Sequence, residues 1–366
     1  MKIELKNISK TLHLSKTIDQ MNVTIEDGEL VALLGPSGSG KSTTLLMMAG
    51  IYKPTDGGIY FDDQWVNDVD PKDRQIGMVF QSYDLYPHMN VLENIAFPLK
   101  QQKVEKSKYL QRAREAARML GLEHLLDGKP NHLSEGEQLR VALARAIVKK
   151  PKILLLDDPL SNLDARSKLE MKEKMSLIQK ELGITTVLAT HDPEEAMMMA
   201  DRIAVIKEGK IIQYGTPLEL YNQPEDYFVA HWIGHPPMNF LLGKMIQNRI
   251  KIGNGELIVE GIEEEWNHIE VKIGMRPHDM RWGDQRGIAL QGTVILIEPL
   301  GHSQMVTIKV DQDYIRFFTD PNYKIEIGKE LKVSIDPSSI HLFDAQTGKC
   351  VKKDRLHCLP NKAIVC

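Results

Sequence analysis

The sequence is poor in cysteine. Its three cysteines, Cys350, Cys358 and Cys366, all lie near the C-terminus of the 366 residues. An odd number of cysteines and a cysteine-free body argue against a disulfide framework and are typical of a reducing compartment. His357 stands beside Cys358, but the spacing matches no zinc pattern, so we expect a frayed tail there and no metal site.

Long apolar runs and an excess of positive charge are also missing. No segment approaches the roughly 20 apolar residues of a transmembrane helix, and the N-terminal residues do not resemble a signal peptide. We therefore expect any membrane association to be peripheral. The 46 Lys and Arg residues nearly balance 50 Asp and Glu, for a net charge of −4. This balance provides no basic field for nucleic acid, and the basic residues from Lys103 to Arg114 are interpreted as a solvated helix face.

Two sequence textures indicate two domains. Residues 1–235 alternate short apolar runs with helical patterns, which predicts an α/β domain with a mostly parallel sheet. Three buried-strand patterns, Leu30–Leu34, Ile153–Leu156 and Thr185–Ala189, are followed by polar residues, and open α/β sheets bind ligands at such strand ends. Residues 236–366 show short alternating runs separated by turn residues, such as Gly253–Gly255, which predict a small all-β barrel.

Helical spacing is clearest in two segments of the first domain. Lys106–Leu122 carries apolar residues on one face and predicts a helix. A second stripe, formed by Met171, Met175, Ile178 and Leu182, is rich in methionine. A methionine stripe with helical spacing is interpreted as core and not as a ligand site.

A glycine-rich segment follows the first strand pattern and precedes a helix. It matches G-x-x-x-x-G-K-[ST] in full, and its residues are Gly35, Pro36, Ser37, Gly38, Ser39, Gly40, Lys41 and Ser42, followed by Thr43. The glycines let backbone N–H groups surround a β-phosphate at the positive end of the helix. Lys41 adds a charge for the β- and γ-phosphate oxygens, and the Ser42 hydroxyl can ligate Mg²⁺. The segment therefore predicts a nucleoside triphosphate site.

Two acidic residues follow the second strand pattern. A carboxylate at this position places Asp157 beside the phosphate loop, where it can hold Mg²⁺. Asp158 comes directly after it. A kinase or a GTPase would carry the same two features, so these residues by themselves leave the reaction open.

Four further elements resemble the motifs of ABC ATPases. Leu133–Gln138 resembles their signature motif, Gln81 their Q-loop, Ser161–Asp164 their D-loop and His191 their switch histidine. The resemblance implies that two ATPase subunits face each other head to tail, with ATP between the phosphate loop of one and the signature helix of the other. Closure of this dimer would then drive attached membrane subunits between inward-facing and outward-facing states.

The resemblance also assigns roles to individual residues. Gln81 would contact Mg²⁺ and the attacking water, His191 would reach the γ-phosphate, and Asp158 would polarise the water. The residues expected to contact nucleotide from the signature motif and the D-loop are Ser134, Gly136, Glu137 and Asp164. Ser134 should also cap the signature helix, with Glu137 as its capping-box partner.

The second domain carries a resemblance of its own. Gly274–His278 and Glu298–Gly301 resemble marks of the oligonucleotide-binding-like regulatory barrel found on ATPases of maltose-type sugar importers, and Gln81–Met89 resembles their Q-loop region. The resemblance implies an ATPase subunit at the cytoplasmic face of the membrane, which powers sugar uptake with a second ATPase subunit, two permease subunits and an external solute-binding protein. It also implies a helical subdomain at about residues 82–150.

Other functions remain open at this point. Related barrels accompany importers of glycerol, polyamines and other small solutes. A non-transport ABC ATPase usually has a coiled-coil insertion or tandem ATPase domains, and the sequence shows neither. A pseudoenzyme that binds ATP without hydrolysing it is disfavoured by the intact Lys41, Asp157, Gln81 and His191. We expect no nucleic-acid partner, because the barrel lacks interleaved basic and aromatic residues.

Three positions depart from the family pattern. Asp158 replaces the usual glutamate, and a carboxylate misplaced by about 1 Å can cost roughly 10²-fold in rate; a tolerated swap is the alternative. Glu135 replaces a glycine, and its charge near a γ-phosphate would cost on the order of 2–3 kcal/mol. Leu12 stands where an aromatic ring stacks on adenine, so we expect weaker nucleotide binding. A heterodimer with a subunit of the usual family pattern would divide these three departures between its two nucleotide sites. A homodimer would carry all of them in both sites.

Overall fold

The computed structural model describes residues 1–12, 15–246, 249–252, 255–260, 266, 269–283, 287–351 and 355–358. Contacts divide the chain into two compact units, Met1–Glu219 and Leu220–Cys366. The division falls earlier in the chain than the boundary at residue 235 that the sequence predicts.

The first unit consists of strands and helices that alternate along the chain. Its strands are β1 (Ile3–Leu12), β2 (Ser15–Ile25), β3 (Leu30–Leu34), β4 (Asp56–Phe61), β5 (Gln64–Trp65), β6 (Ile76–Val79), β7 (Ile153–Asp157), β8 (Thr185–Thr190), β9 (Arg202–Lys207) and β10 (Lys210–Gly215). Its helices are α1 (Lys41–Met48), α2 (Val91–Gln101), α3 (Lys106–Met119), α4 (Glu135–Ile147), α5 (Ala165–Leu182) and α6 (Pro193–Met199), while α7 (Pro217–Asn222) crosses into the second unit.

The central sheet of this unit has six strands in the order β10-β9-β3-β8-β7-β6. All neighbours pair in parallel except β9 and β10, which are antiparallel. Every residue of β3 and β8 is buried, as expected for strands covered on both faces. The predicted α/β domain with a mostly parallel sheet is confirmed, and the three predicted strands are β3, β7 and β8.

The first unit also contains a second sheet, which the sequence patterns do not predict. It has four antiparallel strands in the order β2-β1-β4-β5. Its apolar side chains share one core with the central sheet and α1, including Ile3 and Ile8 from β1 and Leu33 from β3. Register shifts within β1 break the simple alternation of polar and apolar residues, so the sequence pattern does not indicate this strand.

The helices differ slightly from their predicted bounds. α3 ends at Met119 and not at Leu122, because the chain reverses at Gly121, where φ is 66°. In α5, Met171 and Met175 are buried as predicted, but Leu182 is 37 % exposed because it is the last residue of the helix. Within the described residues, no helix is long and apolar enough to cross a membrane.

The second unit is mostly antiparallel sheet. It contains α8 (Tyr227–Trp232) and the strands β11 (Asn239–Ile246), β12 (Arg249–Ile252), β13 (Gly255–Glu260), β14 (Glu270–Met275), β15 (Met280–Trp282), β16 (Ile288–Pro299), β17 (Gln304–Val310), β18 (Asp313–Thr319), β19 (Glu330–Ile335), β20 (Ile340–Asp344) and β21 (Arg355–Cys358). Two sheets have the orders β20-β14-β11-β12-β13-β21 and β15-β19-β16-β17-β18 and enclose one apolar core. The predicted all-β second domain is confirmed.

The C-terminal segment differs from the expected frayed tail, because the backbone of β21 pairs with β13. The side chains of His357 and Cys358, together with Cys366, lie outside the described residues. The predicted turn at Gly253–Gly255 is also mostly outside them.

A buried arginine ties the start of the second unit to its strands. Arg276, which is 2 % exposed, donates hydrogen bonds to the carbonyl oxygens of Tyr221, Ala230 and Ile233 at 2.8, 3.2 and 2.5 Å. A charged group is buried only where such partners are available. These bonds explain why residues 220–235 belong by their contacts to the second unit.

Candidate nucleotide-binding and hydrolysis site

The phosphate loop has a shape that only glycine allows at two positions. A Cβ atom on Gly35 would lie 2.2 Å from the carbonyl oxygen of Ile206, and one on Gly40 would lie 2.4 Å from Cδ1 of Ile18. Gly40 also has a φ of 107° and is the residue immediately before α1. The loop is therefore pressed against β9 and β2, and its backbone turns directly into the N-terminus of the helix.

Lys41 lies folded over this loop. Its Nζ donates hydrogen bonds to the carbonyl oxygens of Gly35 and Pro36 at 2.7 and 2.9 Å. Burial lowers the pKa of Lys41, while Asp158 and Asp157 oppose that shift. Ser39 Oγ is buried without a hydrogen-bond partner among the described groups. A cation and an unsatisfied hydroxyl inside a glycine loop suit a phosphate ligand.

A second pair of side chains connects the loop to the end of β7. Ser42 Oγ donates a hydrogen bond to Asp157 Oδ1 at 2.8 Å. Burial raises the pKa of Asp157, and the neighbouring charge of Asp158 raises it further. A hydroxyl and a carboxylate are hard oxygen donors that fit Mg²⁺, which usually completes its shell with phosphate oxygens and water. In the described part of the chain, no group of three His, Cys, Asp or Glu residues could hold a metal ion.

Asp158 and His191 form a direct pair. His191 Nδ1 lies 3.0 Å from Asp158 Oδ2, and the His191 side chain is 53 % exposed. Asp158 has a φ of 46°, and its N–H donates to the carbonyl oxygen of Ala189 at the end of β8. The other carboxylate oxygen, Oδ1, is buried without a hydrogen-bond partner among the described groups. One oxygen thus contacts the imidazole, and the other is a buried acceptor whose hydrogen-bonding capacity is unused by the described groups.

Gln81 lies next to the same loop. Its Nε2 is 3.4 Å from Ser161 Oγ, and Ser161 Oγ donates to the carbonyl oxygen of Asp158 at 2.9 Å. Asn162 contacts the carbonyl oxygen of Gln81 at 3.4 Å. The Q-loop residue and the segment after Asp158 therefore meet in one network, as neighbouring strand ends of β6 and β7 should.

The signature residues lie at the start of α4. Ser134 is the N-cap, and its side chain forms a capping box with Glu137, which confirms the predicted local structure. The backbone N–H and hydroxyl of Ser134 lower the pKa of Glu137. A Cβ atom on Gly136 would lie 3.9 Å from the Ser167 side chain, so this helix start adjoins α5. Glu135 is exposed.

The two remaining predicted nucleotide contacts are at element ends. Asp164 is the N-cap of α5 and accepts hydrogen bonds from the N–H groups of Arg166 and Ser167 at 3.0 Å each. Hydrogen bonds from Ser167 lower the pKa of Asp164. Leu12 ends β1, opposite Ser15 of β2. Their contact with nucleotide remains a prediction.

One residue that holds the Q-loop is not among those predicted from the sequence. Arg145 of α4 donates to the carbonyl oxygens of Tyr83 and Asp84 at 2.6 and 2.7 Å, and both of those residues have positive φ, at 60° and 46°. A possible signal was present in the sequence, since Arg145 stands alone among the apolar residues that end α4. An arginine in such a position needs buried partners.

A groove opens beside this clamp. It has a volume of about 430 Å³, and its lining includes Asp84, Tyr86, Phe97, Pro98 and Arg145. The Arg145 guanidinium lies 5.4 Å from the centre of the Tyr86 ring. The groove is therefore partly aromatic and combines a cation with an acidic side chain.

Comparison with known proteins identifies the class. Residues 18–161 match the ABC transporter family, and residues 273–343 match the TOBE domain. The trehalose/maltose import ATP-binding protein MalK of Thermococcus litoralis is 41 % identical to this chain, and the match covers 95 % of this chain and 99 % of the relative. The chain therefore belongs to the ABC transporter family, as one of its ATP-binding subunits, and is an ATPase.

Two other relatives are similar over most of the chain. The oligosaccharides import ATP-binding protein MsmX of Bacillus subtilis is 44 % identical over 90 % of this chain and 93 % of the relative. The sn-glycerol-3-phosphate import ATP-binding protein UgpC of Jannaschia sp. is 42 % identical over 92 % and 95 %. The resemblance to maltose-type importer ATPases with a regulatory barrel is confirmed.

Solved structures match part of the chain. The ATP-binding cassette MJ0796, in a dimeric post-hydrolysis state bound to ADP and Pi, is 36 % identical with a TM-score of 0.54, over 58 % of this chain and 98 % of that one. CbiO1 of Clostridium perfringens is 33 % identical with a TM-score of 0.56, over 60 % and 90 %. The ABC ATPase fold is thereby confirmed.

Proposed function

We propose that this chain is the ATP-hydrolysing subunit of an importer for a sugar or related carbohydrate. One observation carries the hydrolytic part of the proposal: Asp158, the acid that follows Asp157, lies 3.0 Å from the switch histidine, and Asp157 itself bonds to Ser42 of the phosphate loop. The names of the relatives support a carbohydrate substrate. The name of UgpC, an sn-glycerol-3-phosphate import protein, supports the alternative of a glycerol-type solute; a polyamine or another small solute is the remaining alternative.

ATP binding rests on the phosphate loop. Lys41 would exchange its bonds to two loop carbonyls for bonds to phosphate oxygens, which bear the negative charge that an ammonium group prefers. Ser42, Asp157 and Gln81 would hold Mg²⁺. The chemistry that Mg²⁺ supplies when bound is neutralisation of charge on the β- and γ-phosphates.

Hydrolysis rests on Asp158 and His191. The buried oxygen Oδ1 of Asp158 would accept a hydrogen bond from the attacking water and orient it for in-line attack on the γ-phosphate. His191 holds the other oxygen at 3.0 Å and would keep the carboxylate in this orientation. The exposed face of His191 is then free to meet the γ-phosphate.

The proposed assembly contains two ATPase subunits, two permease subunits and an external solute-binding protein, at the cytoplasmic face of the membrane. The helix start at Ser134 supplies N–H donors and a hydroxyl to the nucleotide of the opposite subunit, together with Gly136. The groove beside Arg145 and Tyr86 would receive a helix of the permease, with residues of β6 and of the helical subdomain as its walls. The second unit would hold the dimer together and receive regulatory signals.

The test is steady-state phosphate release from Mg-ATP by the purified chain, with Lys41→Ala as the blank. We expect turnover above the blank and a loss of about 10²-fold in Asp158→Asn, because an amide cannot accept the proton of the water.

Asp158→Glu measures the cost of the shorter acid. An unchanged rate would show that the aspartate is a tolerated replacement, and a large gain would show a site that depends on a partner subunit with the usual glutamate. Turnover that survives Lys41→Ala would contradict the proposal.

A further inference from the structure

Tyr83 connects the Q-loop to the residue that follows Asp158. Its side chain is buried, with 3 % exposed, and its hydroxyl donates a hydrogen bond to the carbonyl oxygen of Pro159 at 3.1 Å. Pro159 is the next residue after Asp158. The phenol therefore contacts the backbone of the loop that presents the Asp158 carboxylate to His191.

The position of the phenol is fixed from its own backbone. Tyr83 and Asp84 have φ angles of 60° and 46°, a conformation that bulky residues adopt only where the surroundings hold them. Arg145 supplies that hold, because its guanidinium donates to both carbonyl oxygens at 2.6 and 2.7 Å. The ring is thus anchored to α4, an element outside the loop it contacts.

The loop after β7 needs such a contact. Asp158 itself has a φ of 46°, and its carboxylate must stay within 3.0 Å of His191. Its N–H is held by Ala189, and its carbonyl oxygen accepts from Ser161 Oγ at 2.9 Å. The Tyr83 hydroxyl adds a contact on the following peptide, and a shift of this peptide would move the carboxylate.

The chemical state of the phenol suits a fixed donor. Burial raises the pKa of Tyr83 to about 12, and the negative charges of Glu135 and Asp158 add to this effect. The hydroxyl donates its hydrogen bond to the Pro159 carbonyl oxygen. Its contribution is a constant hydrogen bond.

We propose that Tyr83 is a positioning residue for ATP hydrolysis, whose hydroxyl holds the Pro159 carbonyl and thereby keeps the Asp158 carboxylate in place. The inference rests on the proposed function of Asp158. Arg145 also lines the groove beside Tyr86. The contacts from Arg145 to Tyr83 and from Tyr83 to Pro159 therefore join the wall of the groove to the loop that carries Asp158.

The test compares Tyr83→Phe with Tyr214→Phe in the full chain. Tyr214 is a matched control, since its hydroxyl donates to the carbonyl oxygen of Thr24 at 2.8 Å and burial likewise raises the pKa of Tyr214. Both variants lose one hydroxyl and should lose similar thermal stability. We expect Tyr83→Phe to lower kcat about tenfold with the KM for ATP within about twofold of wild type, because binding is left to the phosphate loop. Tyr214→Phe should keep both constants.

Hydrogen exchange of the backbone amides of Asp158 and of residues 160–163 gives a second measurement that does not depend on turnover; Pro159 has no N–H. Exchange should be faster in Tyr83→Phe than in Tyr214→Phe. Equal exchange, or equal kcat in the two variants while Asp158→Asn is inactive, would overturn the inference alone. Wild-type turnover in Asp158→Asn would overturn the proposed function and the inference together.

Discussion

At the scale of single residues, the acidic side chains of the site differ in what surrounds them. Asp158 is mostly buried, at 18 % exposed, and pairs with His191. Glu135 is exposed at the first position of α4, where the N–H groups of the helix start point outward. A glutamate at this position stabilises its own helix through the macrodipole, yet it places a negative charge where the proposed opposite subunit presents a γ-phosphate.

Replacing Glu135 by glycine should strengthen ATP-dependent association. We expect the dissociation constant of the ATP-bound dimer to fall at least about fivefold in Glu135→Gly and in Glu135→Gln, because both remove the charge that repels the phosphate. Glu173→Gln, which changes an exposed glutamate on α5, is the control. Sedimentation equilibrium with ATP measures the effect, and unchanged association in both Glu135 variants would show that the charge does not matter.

The residues of the site differ in how far sequence could identify them. The phosphate loop and Asp157 follow from a local motif, and the structure joins them through the bond between Ser42 and Asp157. The contacts of Tyr83 and Arg145 do not follow from the motifs around them, because their partners are backbone carbonyl oxygens remote in sequence. Every residue has a backbone carbonyl group, so the sequence does not show which of them will accept these hydrogen bonds.

At the scale of elements, α6 places a buried carboxylate at the end of β8, directly before His191. Glu195 is 1 % exposed and accepts a hydrogen bond from Thr190, the residue before His191, at 2.7 Å. Lys168 of α5 lies 3.6 Å from it. The end of β8, α5 and α6 therefore meet at one carboxylate, which keeps the segment before His191 in place.

This carboxylate should make stability depend on pH. Burial raises the pKa of Glu195 above its ordinary value of 4.5, with Asp192 adding to the shift and Lys168 and Lys172 opposing it. Because the pKa of Glu195 is higher in the folded state than in the unfolded state, the protonated carboxyl stabilises the fold. This stabilisation is fully present below pH 4.5 and is lost as the pH rises through the raised pKa. The side chain of Glu195→Gln cannot ionise, so the stability of this variant does not fall in the same way as the pH rises.

We therefore expect the thermal midpoint of wild type to fall relative to that of Glu195→Gln as pH rises from 4.5 toward 7. Differential scanning calorimetry across this range measures the difference. Glu194→Gln, at the exposed neighbouring position, should follow the wild-type curve. Parallel curves for wild type and Glu195→Gln would contradict the expectation.

At the scale of the whole molecule, the chain forms two units with separate cores. The first has mixed layers of sheet and helix, and the second has two antiparallel sheets. Contacts place the boundary after Glu219, whereas the composition of the sequence changes only after residue 235. The difference matters because the guanidinium of Arg276 depends on carbonyl oxygens from residues 221–233.

The boundary can be tested with two fragments. Residues 220–366 should unfold at a higher temperature than residues 236–366, because the shorter fragment leaves the buried Arg276 without three carbonyl acceptors. Hydrogen bonds to a charged group contribute roughly 1.5–3 kcal/mol each, so we expect a difference of more than about 3 kcal/mol in the free energy of unfolding. Equal stability in urea would support the boundary at residue 235.

Local sequence patterns are enough to specify the class of each unit and to predict a phosphate site between β3 and α1. Continuous apolar runs specify buried parallel strands, and the glycine motif specifies a turn that few other sequences can form. Local patterns also specify the capping box at Ser134, because both partners lie within one helical turn.

Which distant groups meet depends on how the whole chain packs. The four-stranded sheet of β1, β2, β4 and β5, the clamp of Arg145 on the Q-loop and the contact between Tyr83 and Pro159 all join residues far apart in the chain. Their partners are backbone groups or neighbours across a sheet, and these are chosen by the packing of whole elements. Local patterns specify which element forms, but the burial of apolar faces specifies where it lies and therefore what it contacts.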